Sequence, residues 1–236
     1  MVYSINNCFM KATYYGQSCV AFDFNGTSVL LDPFIQYNPL AQAVDIEALH
    51  PAYIFLSHGH EDHVADMARI QKQANATVAA VVETAAWVRR QGVSDEKVIE
   101  FNLGGTLSLP FGKVKMVYAA HTNSTPDGEY GGHAVGFVFF IGDKKIYFAG
   151  DTALTMEMQL LADLNLDYAF LPIGGHYTMD VEDAAKAAKM INCTQIIGVH
   201  YNTFPPISID VTQAKAYFQA AGLTLLLPAI GETIAL

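Results

Sequence analysis

Two stretches of this chain resemble one another closely enough to constrain the fold before any chemistry is considered. Residues 21–32 (AFDFNGTSVLLD) and 136–151 (GFVFFIGDKKIYFAGD) each read as two apolar strands around a glycine turn, and each ends in an aspartate. Asn25-Gly26 between alternating apolar runs is a strong short-range hairpin signal, because the tight turn needs positive φ at both central positions. If the repeat is a duplication, the chain folds as two similar halves that face each other, with a site between their strand ends. Chance resemblance between two hairpins is the alternative.

The remaining periodicity fits that frame. Residues 11–15, 20–24 and 28–31 have strand character, and 52–56 is a buried-type strand. Helical spacing follows over 64–74 and 83–91, on either side of a strand at 77–82. The middle of the chain is β-rich (106–109, 113–118, 135–141, 145–149). The end then alternates helix 156–163, strand 168–171, helix 181–191, strand 195–199, helix 211–221 and strand 224–227. Such alternation predicts an α/β layered protein whose ligands bind where strands end. No Pro/Ser-rich linker, charge block or low-complexity tract divides residues 1–236, which read as one domain.

The strand at 52–56 runs directly into His58-Gly59-His60-Glu61-Asp62-His63. In an extended segment alternate side chains point the same way, so His58 and His60 can reach one ion. Asp62 and His63 fall where a helix is predicted to begin, so the turning chain can aim them at a second ion, and an aspartate suits the positive helix end. Three more polar residues stand where apolar strands emerge: His121 after 117–120, Asp151 after 146–150, and His200 after 196–199. Each alone reads equally well as a rim or core residue. Together with the six-residue run they predict a metal site.

Composition narrows the field. A net charge of -10 argues against binding a phosphate backbone, so nucleic acid is excluded as a partner, while bound cations would offset part of the charge. Cys8, Cys19 and Cys193 are scattered and form no C-x-x-C pair, which fits a reducing compartment. No signal peptide is visible, and no apolar run approaches the roughly 20 residues needed to span a bilayer. The expectation is a cytoplasmic protein with a small-molecule substrate and no membrane partner. With 52% hydrophobic and only 15% charged residues, a homo-oligomer is compatible with the surface.

The ordered set His58-x-His60-x-Asp62-His63, His121, Asp151, His200 resembles the ligand set of the metallo-β-lactamase-fold superfamily. The resemblance spans almost the whole chain and implies an αβ/βα sandwich of two similar halves. The stretches at 31–34 (LDPF), 104–106 (GGT), 150–152 (GDT), 171–175 (LPIGG), 177–179 (YTM) and 200–205 (HYNTFP) are similar to a bacterial metal-dependent hydrolase subgroup related to the ascorbate-6-phosphate lactonases. The family pattern implies His58, His60 and His121 on one metal and Asp62, His63 and His200 on the other, with Asp151 bridging. Asp32 would then orient a histidine ring; capping its own Asp-Pro turn is the alternative.

A pair of ions ~3.5–4 Å apart can share a hydroxide and polarise a carbonyl or phosphoryl oxygen. The expected activity is therefore hydrolysis of a small lactone, ester, amide or phosphoester by a bridging hydroxide, with Asp62 orienting the water or accepting its proton. Nitrogen-rich ligation suits two zinc ions, with manganese, nickel and iron as alternatives. His60 stands where diiron oxidoreductases of this fold carry a glutamate, which disfavours a redox or persulfide-processing role. A non-catalytic, metal-stabilised binding module would need only four ligands. His133 and His176, in glycine-rich loops, and Tyr201 and Asn202, beside His200, are further candidates for touching substrate. The 137–140 phenylalanine cluster reads as core and His50 as surface.

Overall fold

The computed structural model describes residues 10–236; Cys8 and the other N-terminal residues used in the signal-peptide reading lie outside the described residues. Fourteen strands are described: β1 Met10–Gly16, β2 Cys19–Phe24, β3 Thr27–Leu31, β4 Tyr53–Phe55, β5 Thr77–Val81, β6 Val98–Phe101, β7 Thr106–Leu109, β8 Gly112–Tyr118, β9 Val135–Ile141, β10 Lys144–Phe148, β11 Tyr168–Pro172, β12 Gln195–Val199, β13 Thr224–Leu226 and β14 Thr233–Ala235. They form two seven-stranded sheets, ordered β14-β1-β2-β3-β4-β5-β6 and β13-β12-β11-β10-β9-β8-β7.

The two sheets repeat one pairing pattern. In the first, β1-β2-β3 is antiparallel and β3-β4-β5-β6 parallel. In the second, β8-β9-β10 is antiparallel and β10-β11-β12-β13 parallel. The β2–β3 and β9–β10 hairpins are the two similar stretches of sequence, and Asp32 and Asp151 leave their strands at matching places.

Helices cover the outer faces. On the first sheet lie α1 Glu61–Val64, α2 Met67–Ala74 and α3 Val82–Arg90; on the second lie α4 Val181–Met190 and α5 Val211–Ala220. The inner faces of both sheets meet in a core rich in aromatic rings. Phe22 sits at its centre, with ring centroids 5.5 Å from Phe139 and 5.1 Å from Phe170 across the interface. Separate apolar layers lie beneath the helices on each side, giving the αβ/βα sandwich the sequence predicts. Phe137 and Phe139 are core residues as expected, while Phe140 turns to the outer layer and His50 is exposed.

Two helical expectations need correction. The helix expected over 64–74 is broken at Ala65-Asp66, where Asp66 is buried and serves another purpose. Its Oδ2 accepts hydrogen bonds from the backbone N–H groups of Ile35 (2.6 Å) and Gln36 (2.9 Å), and its own N–H donates to Pro33 O. Satisfying that buried loop outweighs continuing one helix. The run Met156–Leu164 is a 3₁₀ rather than an α-helix, ending at Asn165 with φ 52°. The short edge strands β6 and β14, absent from the sequence reading, form by pairing with β5 and β1. Among the described residues, no helix is long and apolar enough to cross a membrane.

Candidate metal centre

The strand ends bring all seven expected ligands to one edge of the sandwich. His58 and His60 follow β4 on an extended loop, and His60 is the residue before α1, so Asp62 and His63 lie in its single turn. His121 follows β8, Asp151 follows β10 after the left-handed Gly150, and His200 follows β12. Potential ligand atoms of His58, His60 and His121 lie within 4.8 Å of one another, and so do those of Asp62, His63 and His200. Asp151 Oδ2 stands between the triads, 3.7 Å from His121 Nε2, 3.4 Å from His63 Nε2 and 3.0 Å from His200 Nε2.

Asp32 braces both triads from beneath. It is fully buried, and its Oδ2 accepts from Ser57 Oγ (2.6 Å) and lies 2.9 Å from His63 Nδ1. Its Oδ1 accepts from the Ser57 N–H (2.8 Å), and Ser57 Oγ lies 2.9 Å from His58 Nδ1. One carboxylate thus orients His63 directly and His58 through Ser57, instead of capping only its own turn. Gly59 sits tightly between the two histidines: a Cβ there would meet Ser124 O and Thr125 Cγ2 at 3.0 Å, so these neighbours would have to shift, and its N–H donates to Asn123 Oδ1 at 2.8 Å.

Electrostatics follows from burial and grouping. Burial holds the His58, His60 and His121 imidazoles below their ordinary values, keeping them neutral and able to donate a lone pair at neutral pH. Burial would also lower His63 and His200, but the Asp151 carboxylate, helped by Asp62, outweighs it and lifts both, His200 to about 9. Burial would raise Asp62 and Asp151, yet the same two histidines pull them well down. Without a cation, then, protons on His63 and His200 balance the carboxylates. A divalent ion would fit here in their place. His63 Nε2 is buried without a hydrogen-bond partner, its other ring nitrogen is fixed by Asp32, and carboxylate oxygens of Asp62 and Asp151 stand 3.5 and 3.4 Å from it.

The site opens into a cavity of about 580 Å³ whose lining includes His60, Asp62, His121, Asp151 and His200. The sequence reading missed Gln17 and Ser18. Gln17 is buried with φ 52°; its Nε2 donates to Asp62 Oδ2 (2.8 Å), and its carbonyl accepts the His200 N–H (2.7 Å). Ser18 Oγ donates to Asp151 Oδ1 at 3.5 Å. The β1–β2 turn thus touches three of the seven proposed ligands. A lone Gln-Ser in a turn has no pattern that would mark it.

Four weaker candidates do not reach the cavity. His133 is exposed and packs its ring 6.5 Å from that of Tyr118. His176 is exposed in a left-handed turn against Tyr177, and it is Tyr177 that lines the cavity. Tyr201 stacks on Tyr14 (6.3 Å) in the core, and Asn202 uses its side-chain oxygen to accept the Ile209 N–H (2.7 Å), closing a turn.

Residues 27–201 match the Beta-lactamase superfamily domain. A UPF0173 metal-dependent hydrolase of Methylacidiphilum infernorum is 43% identical over 228 residues, covering 96% of this chain and all of that one. The chain belongs to the UPF0173 metal-dependent hydrolases of the beta-lactamase superfamily. An Enterococcus faecalis member is 46% identical over 232 residues, covering 95% of this chain and 99% of that one. Among solved structures, Igni18, a metallo hydrolase from the archaeon Ignicoccus hospitalis, is 32% identical with a TM-score of 0.87, covering 97% of this chain and 98% of that one. The metallo-β-lactamase fold and metal-dependent hydrolase kinship expected from the ligand run therefore hold.

Proposed function

We propose that this metal-dependent hydrolase acts on a small molecule at a dinuclear centre. His58, His60 and His121 would hold one ion, Asp62, His63 and His200 the other, and Asp151 would face both. The observation that carries this reading is the place of Asp151 Oδ2, within 3.7 Å of imidazole nitrogens from both triads. The donor set of five imidazoles and two carboxylates suits zinc, with manganese, nickel or iron as alternatives. It also exceeds the four ligands that a closed structural site uses.

Two bound ions would supply a water-derived nucleophile at neutral pH and a Lewis acid for the substrate oxygen. The chain's own residues do the rest. Asp62, oriented by Gln17, is the carboxylate placed to orient an attacking water, or to accept its proton, at the cavity floor. Asp32 and Ser57 engage the Nδ1 atoms of the buried His63 and His58 rings, so that Nε2 of each is the nitrogen turned toward the other candidate ligands.

Metal analysis of purified protein should find two ions per chain, and Asp151→Ala should lose at least one of them together with hydrolysis of a lactone and ester panel. Full metal content and activity in Asp151→Ala would sink the dinuclear assignment.

A further inference from the structure

Above the ligand floor, the cavity is walled by aromatic rings. Phe34 and Tyr37 come from the loop after β3, Tyr177 from the loop after β11, and Phe204 from the loop after β12. Phe34 is only 5% exposed and packs on Phe204 with ring centroids 6.3 Å apart, so this wall is fixed by packing. Tyr37 and Tyr177, by contrast, are 62% and 57% exposed at the mouth. The loop bearing Tyr37 is tied down through Asp66, which holds the N–H groups of Ile35 and Gln36, and through Arg69, which bonds the Gln36 and Glu47 side chains. The rings are thus presented by an anchored loop.

The cavity offers acidic groups but no permanently charged base. Among the described residues that line it, none is lysine or arginine, while Glu61, Asp62 and Asp151 are acidic. Arg69, on the helix beneath the Tyr37 loop, is already paired with Glu47. Two divalent ions would carry about four positive charges against the three carboxylates and the hydroxide nucleophile, leaving no surplus positive charge for a dianionic phosphate. Phosphate recognition ordinarily draws on arginine or lysine, and this wall has neither to offer.

We propose that the cavity selects a neutral substrate carrying an apolar or aromatic group beside the carbonyl carbon attacked, and discriminates against phosphorylated substrates. This rests on the dinuclear hydrolase reading and names its substrate class. Each ring-on-ring contact is worth on the order of three- to tenfold in binding, so the collar acts mainly through KM.

The test uses metal-replete protein and three chromogenic substrates with one leaving group: 4-nitrophenyl phenylacetate, 4-nitrophenyl acetate and 4-nitrophenyl phosphate. The phenylacetate should exceed the acetate in kcat/KM by about tenfold or more, and the phosphate should be the poorest. Tyr37→Ala and Tyr177→Ala, both at exposed positions, should each raise KM for the phenylacetate about three- to tenfold. Their effect on the acetate, which lacks the acyl-side ring, should be clearly smaller, with Tyr177→Phe restoring the wild-type value for the phenylacetate. Preference for the phosphate, or equal effects of the variants on both esters, would overturn the proposal. Turnover of none of the three would overturn the hydrolase reading instead. The collar is then judged by calorimetry with acetophenone and phenyl phosphate: tighter acetophenone binding, weakened in both alanine variants, supports it, and tighter phenyl phosphate binding or none by either refutes it.

Discussion

Replacing Asp32 by asparagine tests whether a buried carboxylate outside the ligand set controls the metal centre. The side chain is fully buried, and each oxygen is engaged: Oδ1 by the Ser57 N–H, Oδ2 by Ser57 Oγ at 2.6 Å and His63 Nδ1 at 2.9 Å. An asparagine keeps one acceptor. If it retains the Ser57 N–H, its NH₂ group meets the His63 ring N–H, donor against donor, and the Ser57 hydroxyl must turn to accept from it. His63 must then turn or change tautomer, moving the nitrogen that faces Asp62 and Asp151. Losing such an orienting partner costs about 10- to 100-fold in metal affinity, or roughly 1.4–2.7 kcal/mol. The loss should fall more heavily on the ion held by Asp62, His63 and His200, because Asp32 reaches His58 only through Ser57. Titration of the folded, metal-free protein against a competing chelator would resolve the two affinities. Wild-type affinities for both ions, alongside a lowered melting temperature of the metal-free protein, would show Asp32 to be a brace for the fold alone and refute the argument.

Gln17→Ala removes the amide donor to Asp62 but keeps the main-chain bond to His200, so it should weaken the same ion by up to about tenfold; an unchanged chelator titration would deny Gln17 a positioning role. Phe22→Ala opens the core where rings of both sheets meet, and should cost about 3–5 kcal/mol in urea unfolding, whereas a loss under about 1 kcal/mol would mean the sheets close over the gap. Metal-free protein should lose stability as pH rises. His200 has its folded value raised to about 9 from 6.5, so its contribution is complete below about pH 6.5 and lost as pH climbs through about 9. The buried, depressed His58 opposes stability only below that window. Urea midpoints that stay flat from pH 6.5 to 9.5 would show that His200 is not paired with Asp151 as described.

Local sequence carried the strand termini and the metal run because each depends on neighbouring residues: alternation sets a strand, and His-x-His sets two rings on one side of it. The two Gly-turn hairpins likewise announced the duplicated pairing pattern, each ending in the aspartate that the site uses. Elsewhere the decision was tertiary. A helix legible over 64–74 broke because Asp66 was needed by backbone N–H groups thirty residues earlier. His133 and His176, weaker candidates than His121 in the sequence, sit outside the cavity, since a glycine-rich loop does not reveal which way it folds. Gln17 and Ser18 gained their place only when the β1–β2 turn met the ends of β10 and β12. That contact joins residues more than 130 positions apart, a distance over which no local period survives. The candidate ligand residues, which the structure gathers at one edge, could therefore be picked out from the chain itself. The family resemblance also implied their division into two groups around Asp151, whereas the aromatic wall above them, lined by no lysine or arginine, exists only in the packed molecule.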